Sequence, residues 1–182
     1  MPKLERGWSV VLVAAACAGD DSNFVRGRGM TVASLPAADQ AQVYEAAARG
    51  AFDVDNTRLL LDARLLPRVT GLSDAGRVSD SVVGQLHART PIRGDCEPPL
   101  AGAHGAPTCK ADYPGYVLRY SPVFALGKDS VQVYVYAQKY DTPASGRSEP
   151  LRLERAYQVA RHGATWRAVR EGHVPKDVRG ER

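Results

Sequence analysis

The feature that most constrains the fold is a strict alternation of apolar and polar side chains at residues 131–138. Valine and alanine alternate there with glutamine and tyrosine, in the order Val131, Gln132, Val133, Tyr134, Val135, Tyr136, Ala137, Gln138. Because successive side chains of a strand point to opposite faces, a period of two predicts a β-strand. We expect its aliphatic face to pack on a core and its other face to carry the tyrosines.

Three further strands are predicted around this one. Residues 116–124 precede it, and Gly127-Lys128-Asp129-Ser130 between the two segments has the composition of a hairpin turn. Residues 151–161 and 165–171 form a second pair around Gly163, which can adopt the positive φ that a tight turn requires. Four antiparallel strands in sequence predict a meander.

Helices are predicted mainly in the first half of the chain. Residues 36–50 are rich in alanine and begin with Pro36, which suits the first turn of a helix. Residues 81–89 are compatible with a short second helix, and residues 58–66 favour a strand because Pro67 closes them. Residues 90–115 are turn-formers, and we predict a long connection that has no regular structure.

This order of elements resembles a known structural class. A helix near the start, antiparallel strands after it and a tryptophan inside the last strand (Trp166-Arg167-Ala168-Val169) resemble the cystatin-like and NTF2-like secreted α+β domains. The resemblance implies an N-terminal helix packed on a curved antiparallel sheet, a meander of about four to five strands. It covers a single domain at residues 35–175 and carries no function across, because such folds serve many activities.

The first 17 residues have the pattern of an export signal. Lys3 and Arg6 give a positive start, residues 7–16 are short and apolar, and small residues precede Cys17. The run Ala14-Ala15-Ala16-Cys17 resembles a bacterial lipoprotein signal, which implies cleavage after residue 16 and lipidation of Cys17. The alternatives are an ordinary secretory signal and a buried strand of a cytosolic domain. The lipoprotein interpretation makes residues 17–34 a flexible tether and residues 176–182 a solvated tail.

Cys96 and Cys109 lie in a loop rich in proline and glycine. In an exported protein two such thiols favour a disulfide, and closing a loop of about 14 residues contributes about 3 kcal/mol in the chain-entropy model. Zinc bound by His87, Cys96, His104 and Cys109 is the alternative, although the spacing lacks the close pairs typical of zinc sites. We therefore predict a disulfide, and neither a metal nor a cofactor.

The candidate ligand-binding residues are six side chains of the predicted sheet: Tyr116, Arg119, Tyr120, Tyr134, Tyr136 and Tyr140. If the sheet curves into a cone, its concave face becomes a pocket that suits a small apolar ligand. The alternative is that these side chains pack against a helix that lies on the sheet. Gly71-Leu72-Ser73-Asp74-Ala75-Gly76 departs from a serine nucleophile elbow by one residue, and His162 and His173 are expected at exposed turns. No catalytic residue is predicted.

The charge of the chain limits the kinds of partner that the sequence predicts. The net charge of +4 is mild and not concentrated in one segment, so the sequence does not indicate nucleic-acid binding. We expect a non-enzymatic binding or protein-interaction domain, lipid-anchored outside the cytoplasm at the cell envelope, whose partner is an envelope protein or a small apolar ligand. A small enzyme that uses a cone-shaped pocket in an NTF2-like fold is the alternative.

Overall fold

The computed structural model of the protein describes residues 30–66, 76–95, 115–140 and 152–174. This part of the chain has two helices, α1 (Ala37–Ala51) and α2 (Asp80–Arg89). Its seven strands are β1 (Leu59–Asp62), β2 (Arg93–Asp95), β3 (Gly115–Tyr120), β4 (Phe124–Gly127), β5 (Ser130–Tyr140), β6 (Arg152–His162) and β7 (Thr165–Gly172). The predicted α+β class is confirmed.

The strands form one mixed sheet rather than an antiparallel one. Six strands lie side by side in the order β2-β1-β3-β5-β6-β7, and β4 pairs with the part of β5 that β3 does not cover. β1 runs parallel to both β2 and β3. Parallel neighbours require a crossover, and α2 supplies it between β1 and β2. The predicted long connection at residues 90–115 therefore contains a short strand, β2.

The predicted meander is confirmed in the second half of the chain. β3, β5, β6 and β7 pair in sequence order, and each pair is antiparallel. The two-residue link between β4 and β5 lies at the predicted turn, where Gly127 pairs with Ser130. Gly163 has a φ of 63° in the β6–β7 turn, as the sequence led us to expect.

The predicted strand at residues 116–124 is interrupted at Ser121-Pro122-Val123. Pro122 has no N–H to donate to a strand ladder. Ser121 keeps the chain attached to β5, because its N–H donates to the Tyr134 carbonyl at 3.0 Å and its Oγ accepts from the Tyr134 N–H at 2.9 Å. The interruption therefore divides one edge of β5 between β3 and β4.

Helix α1 lies across β5, β6 and β7 and packs against α2. The predicted helix at residues 36–50 is confirmed, and small buried side chains such as Ala41, Ala47 and Ala48 let it approach the sheet closely. The approach is closest at Gly50, where a Cβ atom would lie 2.6 Å from Cε1 of Tyr157. We call this side of the sheet the helix face.

The opposite side of the sheet, which we call the polar face, has a smaller core of its own. Phe124, Tyr134, Ala156 and Val174 are buried there, and Met30 and Leu66 pack against them. Residues 30–34 belong to the predicted tether, yet Val32 bridges Phe124 and the Thr31 carbonyl accepts from the Ala125 N–H at 2.9 Å. This part of the predicted tether lies against β4.

The strand predicted at residues 58–66 is shorter in the structure. The structure gives only Leu59–Asp62 to β1, followed by an isolated bridge between Arg64 and Arg77.

In the described ranges, neither helix has the length and hydropathy that crossing a bilayer requires.

Candidate binding site

The six candidate ligand-binding residues do not line one face of the sheet. Tyr120 pairs with Val135, whereas Arg119 pairs with Tyr136. Residues paired across an antiparallel ladder share a face, so the tyrosines of β3 lie with the valines of β5 and not with its tyrosines. Tyr116 and Tyr120 are on the helix face, and Arg119, Tyr134 and Tyr136 are on the polar face. The side chain of Tyr140 lies outside the described part.

Tyr120 serves the core of the helix face. Its ring stacks on Tyr44 of α1 with centroids 4.5 Å apart, and its hydroxyl has no hydrogen-bond partner among the described residues. The Tyr44 hydroxyl donates to the Ser121 carbonyl at 3.2 Å and accepts from Gln40 at 3.0 Å. Burial raises the pKa of Tyr44 to about 12 and raises that of Tyr120 further. Both phenols therefore stay protonated and act as packing groups.

Tyr134 is also a packing residue. It is fully buried, meets Phe124 edge-on with centroids 6.1 Å apart, and its hydroxyl accepts from Nε2 of Gln132 at 2.8 Å. Of the predicted set with described side chains, Arg119 and Tyr136 remain as side chains of the polar face that are only half-buried.

These two residues belong to a line of polar side chains that crosses four strands. Asp62 on β1 pairs with Arg119 on β3, Arg119 pairs with Tyr136 on β5, and Tyr136 pairs with Glu154 on β6. Direct pairing places neighbouring Cβ atoms about 4.5–5.5 Å apart. We call these four residues the polar row.

Asp62 is the buried end of the polar row, with a side chain that is 3% exposed. Arg64 holds its carboxylate from two directions. The Arg64 N–H donates to Oδ1 at 3.0 Å, and its guanidinium donates through Nε to Oδ1 at 2.9 Å and through Nη2 to Oδ2 at 2.7 Å. A carboxylate this buried needs such a partner, because desolvation without one is expensive.

Arg119 is the cation of the polar row. Its Nε donates to the Arg64 carbonyl at 3.1 Å and lies 3.3 Å from Oδ2 of Asp62. Burial lowers the pKa of the Arg119 guanidinium, the Asp62 charge opposes that change, and the Arg64 charge adds to it. Even so, arginine stays charged in a protein, so Arg119 keeps a positive charge on a half-buried surface.

The polar row offers charge and an aromatic ring rather than a metal site or an acid–base pair. Over the described ranges, no group of three or more His, Cys, Asp and Glu side chains is placed to hold a metal ion. His162 and His173 are exposed, as expected from their turn positions. The chemistry that these side chains support is the binding of a polar or anionic group.

Sequence reasoning named Arg119 and Tyr136 but missed Asp62, Arg64 and Glu154. The available signal was the pair of charges, Asp62 and Arg64, that interrupts the leucine-rich run at residues 58–66. A charge in an otherwise apolar strand implies a buried partner. One partner of Asp62 is Arg64, two residues along the chain. The other, Arg119, lies 57 residues away in sequence, because β1 pairs in parallel with β3.

The other predicted sites fall outside the described residues. They are Cys17, the Cys96–Cys109 disulfide, three members of its zinc alternative (Cys96, His104 and Cys109), residues 71–75 of the serine-containing turn and the tail at residues 176–182. Each stays a prediction from sequence.

Comparison with known proteins finds no family model, no curated protein and no solved structure that matches this chain.

Proposed function

We propose that this chain is a lipoprotein of the cell envelope whose α+β domain binds a ligand or a partner protein without transforming it. The Ala14-Ala15-Ala16-Cys17 sequence supports the anchor. The polar row supports the binding role, and it is the observation on which that role depends. A line of Asp62, Arg119, Tyr136 and Glu154 across a sheet face exceeds what packing alone requires, since apolar pairs stabilise a sheet equally well.

Two finer features complete the proposal. We propose that the sheet curves as in the cystatin-like and NTF2-like domains, with α1 packed on it. A disulfide between Cys96 and Cys109 staples the loop that precedes β3, as oxidising conditions outside the cytoplasm allow. Alkylation of the denatured, non-reduced protein tests the bridge: the intact mass should show no alkylated thiol at these positions, and two alkylated thiols contradict the disulfide.

Metabolic labelling with a radioactive fatty acid tests the anchor. The wild-type chain should incorporate label and partition with membranes, and Cys17→Ser should abolish both. Cys96→Ser is the matched control, because it removes a thiol that the signal does not use and should leave the label in place. Label that persists in Cys17→Ser, or a purified chain that retains Met1, contradicts the lipoprotein proposal.

Crosslinking and co-purification of the natively lipidated protein test the binding role. A specific ligand or envelope protein should accompany the wild-type chain and be lost from Arg119→Gln. Identical recoveries from the two chains contradict a role for the polar row.

A further inference from the structure

The guanidinium of Arg119 is held along one edge only. Its Nε is engaged by the Arg64 carbonyl at 3.1 Å and by Oδ2 of Asp62 at 3.3 Å. A guanidinium is a rigid plane with five N–H groups, so fixing Nε also fixes the directions of the two terminal nitrogens. Arg119 is therefore positioned before any ligand arrives.

The other edge of the guanidinium has no acceptor within the described chain. No described residue accepts a hydrogen bond from Nη1 or Nη2 of Arg119, and the side chain keeps 24% of its surface exposed. The contact of Arg119 with Asp62 is made through Nε, which lies 3.3 Å from Oδ2, while Arg64 binds the same carboxylate with hydrogen bonds of 2.7–3.0 Å. The four terminal N–H groups thus face a half-buried surface that solvent reaches.

The surroundings of Arg119 select a ligand class. The end-on edge of a guanidinium matches the two oxygens of a carboxylate, which it binds with two parallel hydrogen bonds. Tyr136 lies beside it on the next strand and supplies an aromatic wall. Asp62 and Glu154, at the two ends of the polar row, place negative charge nearby and so disfavour a dianion such as phosphate.

We propose that Nη1 and Nη2 of Arg119 bind the carboxylate of a molecule that carries an aromatic or apolar group next to it. The carboxylate comes from a free organic acid or from the C-terminus of a polypeptide. This inference rests on the proposed binding function and names the ligand chemistry of the same site.

Arginine-detected NMR titration of the full mature chain tests the proposal, with benzoate, benzamide and inorganic phosphate as probes. Benzoate should move the Nε–Hε signal of Arg119 and saturate with a Kd on the order of 1 mM or tighter, the range open to one charge-assisted pair with a ring contact. Benzamide has the same shape without the charge and should bind at least about tenfold more weakly, as should phosphate. A tripeptide that ends in phenylalanine distinguishes the two sources, since it should compete with benzoate, and bind more tightly than benzoate only if the natural carboxylate is a chain terminus.

Three variants make the titration decisive. Because both substitutions at position 119 remove the Nε–Hε signal, binding to the variants is read from the backbone amide signal of Tyr136, which the wild type should show moving in parallel. Arg119→Gln should abolish the response of this amide to benzoate, and Arg119→Lys, which keeps the charge but loses the fork, should weaken binding about tenfold. Arg167→Gln removes an exposed arginine of β7 and should bind benzoate as the wild type does. If Arg119→Gln fails to fold by circular dichroism, the lysine variant still decides.

Equal binding of benzoate and benzamide, an Arg119 signal that does not move, or an Arg119→Lys variant that binds as wild type would overturn the proposal. These outcomes are separate from failure of the proposed function. Membrane anchoring is read by the fatty-acid label in the same variants, and Arg119→Gln should retain it.

Discussion

The two faces of the sheet accommodate buried polar atoms in opposite ways. On the helix face, the Tyr120 hydroxyl and the Trp166 indole nitrogen are buried singly and have no hydrogen-bond partner in the structure. On the polar face, the Asp62 carboxylate and the Tyr134 hydroxyl are buried in networks with hydrogen bonds of 2.7–3.2 Å. Apolar burial and shape therefore contribute most on the helix face, where Tyr44 is the buried hydroxyl that is hydrogen-bonded, and hydrogen bonds between polar groups contribute more on the polar face.

Leu118→Ala should give the largest effect, because it leaves a cavity in the helix-face core. Leu118 is fully buried at the middle of β3, and we expect the free energy of unfolding to fall by about 3–4 kcal/mol. Val169→Ala is the control, since Val169 is 49% exposed and should change the free energy by at most about 0.5 kcal/mol. Urea unfolding measures both. Equal effects would contradict shape-dominated packing on this face.

Asp62→Asn should produce the largest loss on the polar face. The variant keeps the shape of the side chain but leaves Arg64 and Arg119 without their shared carboxylate, and we expect a loss of about 2–3 kcal/mol in the free energy of unfolding. Asp55→Asn is the matched control, since Asp55 pairs with Arg49 at 3.0 Å but is 66% exposed. Its loss should stay below about 1 kcal/mol. A comparable loss in both variants would show that burial of Asp62 is unimportant.

Alkaline pH should destabilise the helix face through its tyrosines. The pKa of Tyr44 is raised from 10.0 to about 12 by burial, with Gln40 opposing the change. Because the unfolded chain loses this proton near pH 10 and the folded chain does not, stability falls as the pH rises from 10 towards 12. Over this range the free energy of unfolding of Tyr44→Phe should fall less steeply than that of the wild type, by about 1.4 kcal/mol for each pH unit. Parallel pH dependences in urea unfolding would exclude this role for Tyr44.

Two glycine-to-alanine substitutions should change stability in opposite directions, because one glycine lies against the sheet and the other does not. In Gly50→Ala the new methyl group would lie 2.6 Å from the buried ring of Tyr157, so α1 must shift and stability should fall by about 1–2 kcal/mol. Gly84→Ala in α2 meets no atom within 4 Å and should stabilise the protein by about 0.5–1 kcal/mol. Thermal unfolding measures the pair, and a gain from Gly50→Ala would contradict close packing of α1.

The smallest effect should come from removing a single hydroxyl on each face. Tyr120→Phe deletes a buried group that makes no hydrogen bond, and stability should stay unchanged or rise by up to about 1 kcal/mol. Tyr134→Phe deletes the acceptor of the Gln132 amide and should cost about 1 kcal/mol. A loss in Tyr120→Phe as large as that in Tyr134→Phe would remove the contrast between the two faces.

Strands with a clear sequence pattern and a sequence neighbour as partner were predictable. Strands that pair with segments far away in sequence were not. The period of two at residues 131–138 and the turn at Gly163 predicted β5, β6, β7 and their antiparallel order, because each strand pairs with its sequence neighbour. β2 is only Arg93–Asp95, too short to show a period. The parallel pairing of β1 with β2 and β3 depends on a crossover that no local pattern encodes.

The same reasoning explains the partial prediction of the site. Arg119 and Tyr136 were found because both lie in the strongly patterned half of the chain. Sequence reasoning missed that these two residues lie on the opposite face of the sheet from Tyr116 and Tyr120. The face depends on the register between β3 and β5, which places Leu118 opposite Ala137. A register one residue different would place the tyrosines of both strands on one face.

The small core of the polar face brings together residues that lie far apart in sequence. Met30 packs against the same cluster of Phe124, Tyr134 and Ala156 that contains Val174. Two segments that lie 144 residues apart in sequence are therefore fastened to one small cluster. Loosening either segment should weaken the packing of the other, so the two should exchange their amide hydrogens as one unit.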